Sequence, residues 1–104
     1  MTRWGKSSGD TERRLLSLRG VEIGPVEEAA LEFVGPVPVT KRAWIVIYTA
    51  LKEVPKGEMS ANGLKGLPDD FWSQIPQCGA ATLVEIQNVA LEYMRRKILE
   101  GDDG

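Results

Sequence analysis

Apolar residues recur at helical spacing through the middle of the chain. Within residues 41–54 they lie at positions i, i+3, i+4, i+7 and i+10, which are Trp44, Ile47, Tyr48, Leu51 and Val54. The β-branched run at residues 45–47 is also typical of a strand, but the polar alternation that marks a half-buried strand is missing. We therefore predict a helix over residues 41–54, with Thr40 as its N-cap.

Residues that begin or end helices divide the rest of the chain in the same way. Asp10 and Ser60 are favourable N-caps. Pro25 and Pro68 fit a first helical turn, where the N–H that proline lacks has no helical partner. The further helices predicted from these signals and from apolar spacing cover residues 11–19, 26–34, 61–67, 68–75 and 81–99.

The predicted fold is all-α, a compact single domain of about five to six helices. Residues 10–100 form this domain. The polar, glycine-containing residues 1–9 are predicted to be a disordered tail, and residues 101–104 a frayed acidic tail. The expected core is one apolar cluster made of Trp44, Ile47, Leu51, Leu64, Trp72, Ile75, Leu83, Ile86 and Tyr93.

Residues 71–86 predict a short helix, a tight loop and the start of a long helix. Pro76 disfavours helical backbone in the residue before it, so the short helix ends near Ile75. Gly79 is expected to take a positive φ or to lie close to another group. Such a loop leaves the first N–H groups of the second helix unpaired, and a helix N-terminus of this kind can hold an anion such as phosphate.

The same stretch resembles the hairpin of helix-hairpin-helix modules, and in particular the C-terminal domain of the bacterial RNA polymerase alpha subunit. The matching positions are Pro76, Gly79, Thr82, Leu83, Glu85 and Ile86. A second likeness lies upstream, where Ser-Ala-Asn-Gly-Leu-Lys at residues 60–65 is similar to the start of the family's DNA-contacting helix. Together these matches indicate a hairpin module over about residues 58–99.

The resemblance implies contacts with the DNA backbone at Asn62, Lys65, Gly79, Ala81 and Thr82. Two basic features of the family differ here. Met59 stands where the family has an arginine before the Ser-Ala-Asn run, and alanines at positions 80 and 81 stand where it has basic residues. The resemblance therefore implies weak DNA contact.

Charge limits this interface further. The whole chain of 104 residues carries a net charge of −2. Within residues 56–82, two lysines and three acidic residues give a net charge of −1 (two minus three). Since phosphates are neutralised by lysine and arginine, these residues predict only a few phosphate contacts.

The composition argues against an enzyme. The chain has no histidine, the usual general base and metal ligand, and one cysteine, which excludes an internal disulfide. Cys78 occupies an apolar position of the hairpin and is expected to be a small buried hydrophobe. We predict no catalytic residues, no metal and no cofactor.

The expected location is the cytoplasm of a bacterium or of a cell infected by a phage. No apolar run approaches the roughly 20 residues of a membrane span, and the basic N-terminus lacks the apolar segment of a signal peptide.

The sequence thus predicts a small, non-enzymatic, transcription-associated module. It would contact DNA weakly through the hairpin, or associate with a bacterial protein such as RNA polymerase. The alternative is a bacterial or phage-encoded protein–protein adaptor that keeps the fold without binding DNA. The oligomeric state is left open.

Overall fold

Six α-helices and one short 3-10 turn form the structure, a computed structural model that describes residues 6–100. The helices are α1 (Gly9–Leu18), α2 (Pro25–Val34), α3 (Lys41–Glu53), α4 (Ala61–Lys65), α5 (Asp69–Ser73) and α6 (Ala80–Leu99), and the 3-10 turn is Lys56–Glu58. Over the described range there is no strand, only an isolated antiparallel bridge between Ser7 and Val39. The predicted all-α domain is confirmed, and the predicted helix ends agree with the observed ones within two residues.

Helix α2 lies at the centre of the fold and packs against α1, α3, α4 and α6. Half of its ten residues are buried: Ala29, Ala30, Leu31, Phe33 and Val34. A helix of this length is marginal by itself in water. Its stability therefore comes from the helices that surround it.

Helix α3 confirms the predicted helix in the β-branched segment. The Thr40 hydroxyl accepts a hydrogen bond from the Ala43 N–H, 3.4 Å away, as expected of an N-cap. Val46 and Ile47 are fully buried in the core. The low helix propensity of such residues costs up to about 0.7 kcal/mol each, whereas burying each side chain contributes about 1.5–3 kcal/mol. Burial decides the conformation.

The core joins α5 and α6 to α2 through aromatic contacts. The Phe33 ring lies 6.4 Å from that of Trp72 and 5.9 Å from that of Tyr93, measured between centroids. All the predicted core residues are buried except Leu83, which is half-buried against the core. Helix α6 buries Thr82, Ile86, Val89 and Tyr93. The core-facing side predicted from the sequence included Leu83, so it was turned slightly about the helix axis from the observed one.

The N-terminal segment corrects the sequence-based interpretation. Ser7 exchanges two backbone hydrogen bonds of 3.0 Å with Val39, and its hydroxyl accepts one from the Trp44 indole N–H at 3.1 Å. Ser8, not Asp10, caps α1, since its hydroxyl accepts from the Thr11 N–H. Within the predicted tail over residues 1–9, Ser7 and Gly9 thus have backbone hydrogen-bond partners in Val39 and Gly35. Residues 1–5 and the predicted frayed tail at residues 101–104 lie outside the described residues.

Arg96 caps the C-terminal end of α2. Its guanidinium donates to the backbone carbonyls of Glu32, at 3.3 Å, and Phe33, at 2.9 Å. It also lies over the Tyr93 ring, 5.3 Å from the centroid. A cation is favourable where the carbonyls of a helix end lack helical partners. Gly35 leaves room for it, because a Cβ there would collide with the guanidinium.

We expect Gly9→Ala to destabilise the fold by about 1–3 kcal/mol, as overpacking does. The new Cβ would collide with backbone atoms of Leu31 and Gly35, which cannot rotate away. Gly79→Ala is the control, because Gly79 has a φ of −81° and no atom within 4 Å of the added Cβ. Urea denaturation of both variants measures the difference. Equal midpoints would show that α1 does not approach α2 as described.

We expect Arg96→Met to lower the free energy of unfolding by about 1.5–3 kcal/mol, because it removes charged hydrogen bonds from two helix-end carbonyls, that of Phe33 part-buried, while keeping an apolar stem. Arg95→Met is the matched control. The Arg95 side chain is 68% exposed and pairs only at the surface with Glu92, so its loss should change stability by less than about 0.5 kcal/mol. A similar effect of both substitutions in chemical denaturation would contradict the capping role of Arg96.

Candidate nucleic-acid interface

The loop between α5 and α6 is built differently from the prediction. Its sharp turn is at residues 75–78, where the Cys78 N–H donates to the Ile75 carbonyl at 3.1 Å. Gln77 has a φ of +72°, the conformation that a type II turn requires after a proline in its second position. Gly79 is extended, with a φ of −81° and a ψ of −177°, and is uncrowded. The predicted special backbone at Gly79 is therefore wrong, because the turn is completed two residues earlier.

The N-terminus of α6 has no side-chain cap. Gly79 is its N-cap, and the first helical hydrogen bond runs from the Leu83 N–H to the Gly79 carbonyl. The N–H groups of residues 80–82 therefore have no partner within the helix. Because α6 begins at the hairpin, the positive end of its dipole lies there.

A groove of about 640 Å³ lies beside this end of α6. Three separate parts of the chain form it, namely the segment before α1, the start of α3 and the first turns of α6. Its lining residues are Lys6, Thr40, Lys41, Arg42, Ala81, Thr82 and Glu85. Three cations and one carboxylate give the lining a formal charge of +2 (three minus one). We refer to it as the basic groove.

Glu85 fixes the walls of the basic groove to one another. Its carboxylate accepts hydrogen bonds from the Thr40 hydroxyl at 2.7 Å and from the Thr40 N–H at 3.3 Å. It also lies 3.5 Å from the Lys6 ammonium. A carboxylate at the N-terminus of α3 is favourable for the helix dipole. Glu85, the one acidic residue that lines the groove, therefore has a structural role.

Lys41 and Arg42 are placed unfavourably for their own helix. Both are exposed in the first turn of α3, which has no acidic residue. Cations near a helix N-terminus oppose the dipole, by about 0.3–1 kcal/mol each at the surface. The helix dipole therefore does not explain them, and the groove that they line has a positive formal charge that favours an anion.

The five residues that the resemblance implied are divided by the structure. Ala81 and Thr82 line the basic groove; Ala81 is exposed, and Thr82 is 5% exposed. Gly79 is exposed at the N-cap of α6, while Asn62 and Lys65 lie on α4, and none of these three lines the groove.

Sequence reasoning missed Lys6, Lys41 and Arg42. The net charge of residues 56–82 is −1 (two minus three), whereas these cations come from elsewhere in the chain. The one local signal was the Lys-Arg pair directly after a predicted N-cap, where acidic residues are favoured. Met59 cannot supply a substitute cation, since its side chain is apolar and packs partly buried against the core.

Other chemistry is limited in the described residues. No group of three or more His, Cys, Asp or Glu side chains in residues 6–100 is arranged to hold a metal ion. Cys78 is half-buried against the core, and burial raises the pKa of its thiol. A higher pKa leaves less of the nucleophilic thiolate at neutral pH. Between residues 6 and 100, no helix combines the length and apolar character needed to cross a membrane.

Comparison with known proteins adds no relative: no family model, curated protein or solved structure matches the chain. The likeness to the polymerase alpha subunit therefore depends on the residues quoted above. The geometry of the basic groove is independent of that likeness.

Proposed function

We propose that this chain is a small, non-enzymatic module that contacts the DNA backbone weakly through the basic groove at the start of its hairpin helix. The observation that carries the proposal is the position of Lys6, Lys41 and Arg42 beside Ala81 and Thr82. The hairpin alone has a negative local charge, but the groove beside it has a positive one.

The number of cations sets the expected strength. Each phosphate neutralised by a lysine or arginine contributes a salt slope of about −0.9, so three cations give at most about −2.7. So few phosphate contacts are expected to give weak, non-specific binding. Phosphate contacts position a protein without reading bases, so we expect little sequence preference. From the resemblance we infer a role associated with transcription, beside a bacterial RNA polymerase.

A protein–protein adaptor is the second candidate. It is favoured by the apolar side chains that α6 exposes on the side away from the core, among them Leu91 and Ile98. A pull-down from bacterial lysate with and without nuclease separates the two. Partners that survive nuclease treatment support the adaptor, and partners that are lost with it support DNA contact.

We expect Lys41→Gln combined with Arg42→Gln to weaken binding to a 24-base-pair duplex and to reduce the salt slope by up to about 2. The substitutions remove cations from a helix N-terminus, so the fold should be retained. Fluorescence anisotropy at several salt concentrations measures both effects.

Arg14→Gln with Arg19→Gln is the matched control for that experiment. It removes the same charge from exposed positions in α1 (Arg14) and at its C-cap (Arg19) that are not part of the groove. If the control loses as much affinity as the groove variant, general positive charge rather than the groove explains binding. Wild-type protein that binds no duplex even at low salt would contradict the proposal itself.

We expect Ala81→Lys to tighten DNA binding and to steepen the salt slope by about 0.9, because Ala81 is exposed and lines the groove. Ala80→Lys is its control, since Ala80 is exposed in the same helical turn but does not line the groove. The same anisotropy titration compares them. An equal gain from both would show that the groove is not where the phosphate lies.

A further inference from the structure

Thr82 is buried as deeply as the core although its side chain is polar. Outside the apolar and aromatic residues, it is the one buried side chain within residues 6–100, with 5% of its surface exposed. Its hydroxyl has no hydrogen-bond partner over the same range. Burying a hydroxyl without a partner is unfavourable, and a valine would fill the same space. Packing alone therefore does not explain a threonine at this position.

The Thr82 hydroxyl is open to the basic groove. Over the part of the chain that the structure describes, Arg96 Nε is the only fully enclosed side-chain nitrogen or oxygen that lacks a partner. The Thr82 hydroxyl also lacks a partner, so it is not fully enclosed. Since Thr82 lines the basic groove, a ligand in the groove can reach this hydroxyl. Thr82 thus forms part of the floor of the groove.

Backbone donors lie at the same end of α6. The N–H groups of Ala81 and Thr82 belong to its first turn and have no acceptor within residues 6–100. The positive end of the helix dipole adds to their attraction for an anion. Two N–H groups and one recessed hydroxyl together fit an anion that carries several oxygen atoms, such as a phosphate group.

The charge of the lining fits a doubly charged phosphate. Lys6 is paired with Glu85, so the net charge of +2 corresponds to Lys41 and Arg42. Arg42 is exposed and forms no ion pair with any other described residue. An internal phosphate of a nucleic-acid strand carries one negative charge, whereas a phosphate monoester carries about −1.5 to −2 at pH 7. The monoester balances the lining better.

Glu85 disfavours a strand that continues through the groove. It lies four residues after Ala81, which is about 6 Å along α6. Its carboxylate is held there by Thr40 and Lys6. An internal phosphate has a neighbouring phosphate on each side, and the one on the Glu85 side would meet a like charge. A terminal phosphate has a neighbour on one side only, so it can reach the recessed floor.

We propose that the floor of the basic groove is a subsite for a phosphate monoester. The Thr82 hydroxyl and the N–H groups of Ala81 and Thr82 donate to its oxygen atoms, and Lys41 and Arg42 balance its charge. If the function proposed above holds, on which this identity of the ligand rests, the monoester is the terminal phosphate of a DNA strand. The protein then binds a phosphorylated DNA end more tightly than internal backbone.

Fluorescence anisotropy with three 12-base-pair duplexes of one sequence tests this preference. The ends of the duplexes carry a 5′-phosphate, a 3′-phosphate or only hydroxyl groups. At least one phosphorylated duplex should bind about tenfold more tightly than the hydroxyl-ended one, which is the contribution of one hydrogen bond to a charged group. Equal affinities for all three duplexes would overturn the subsite, while the proposed DNA contact would stand.

Three substitutions test whether the Thr82 hydroxyl holds the phosphate. Thr82→Val removes the hydroxyl and keeps the shape, so the ratio of the two affinities should fall to about one. Thr82→Ser keeps a hydroxyl and should retain the preference. Thr49→Val is the matched control, because it removes a hydroxyl that bonds to the Ile45 carbonyl within α3. Circular dichroism verifies folding. A folded Thr82→Val protein with the wild-type ratio would overturn the proposal.

Inorganic phosphate tests the subsite without DNA. In nuclear magnetic resonance spectra of the ¹⁵N-labelled protein, phosphate should shift the amide signals of residues 80–82 until they saturate. Sodium chloride at the same ionic strength should not. If phosphate shifts these signals but no duplex binds, the proposed function fails and the subsite stands. If phosphate leaves the three signals unchanged, the subsite is refuted even if DNA binds.

Discussion

The C-terminal end of α2 is the point on which the rest of this fold depends. The last carbonyls of a helix have no helical partners, and burying them unpaired costs about 1–3 kcal/mol each. Here the Gly35 carbonyl accepts from the Gly9 N–H, and the carbonyls of Glu32 and Phe33 accept from Arg96. One buried helix end thus holds the first and the last helices of the domain. Gly9 and Gly35 are needed because a Cβ at either position would collide with its partner.

The basic groove follows from the same arrangement. The chain leaves α2, passes Val39, and is held there by the bridge to Ser7. This places Thr40 against Glu85 of α6 and brings Lys6 to the same carboxylate. Residues from three distant parts of the chain therefore meet at the N-terminus of the hairpin helix. The contacts that hold these segments together also bring three cations to the groove beside the hairpin.

Helix α6 connects the core to the basic groove. Its inner side belongs to the core, its first turns line the basic groove, and its outer side exposes Val84, Leu91 and Ile98. These roles do not compete, because they use different sides or different ends of a 20-residue helix.

Local interactions determined what the sequence by itself could predict. Thr40 and Ser60 cap helices, because each hydroxyl accepts a hydrogen bond from the N–H three residues later in the chain. Apolar spacing places Trp44 and Ile47 on one buried face. Each of these signals lies within one or two helical turns, so it can be read directly from neighbouring residues.

Tertiary structure decided what depends on distant partners. Ser7 and Gly9 look like a polar tail until Val39 and Gly35 supply their hydrogen-bond partners. Gly79 looks like the residue that needs a positive φ, but Gln77 takes it once the turn and the start of α6 are in place. The candidate site was half predicted for the same reason. Its hairpin positions Ala81 and Thr82 follow a local pattern, whereas its cations come from other segments and meet only in the folded chain.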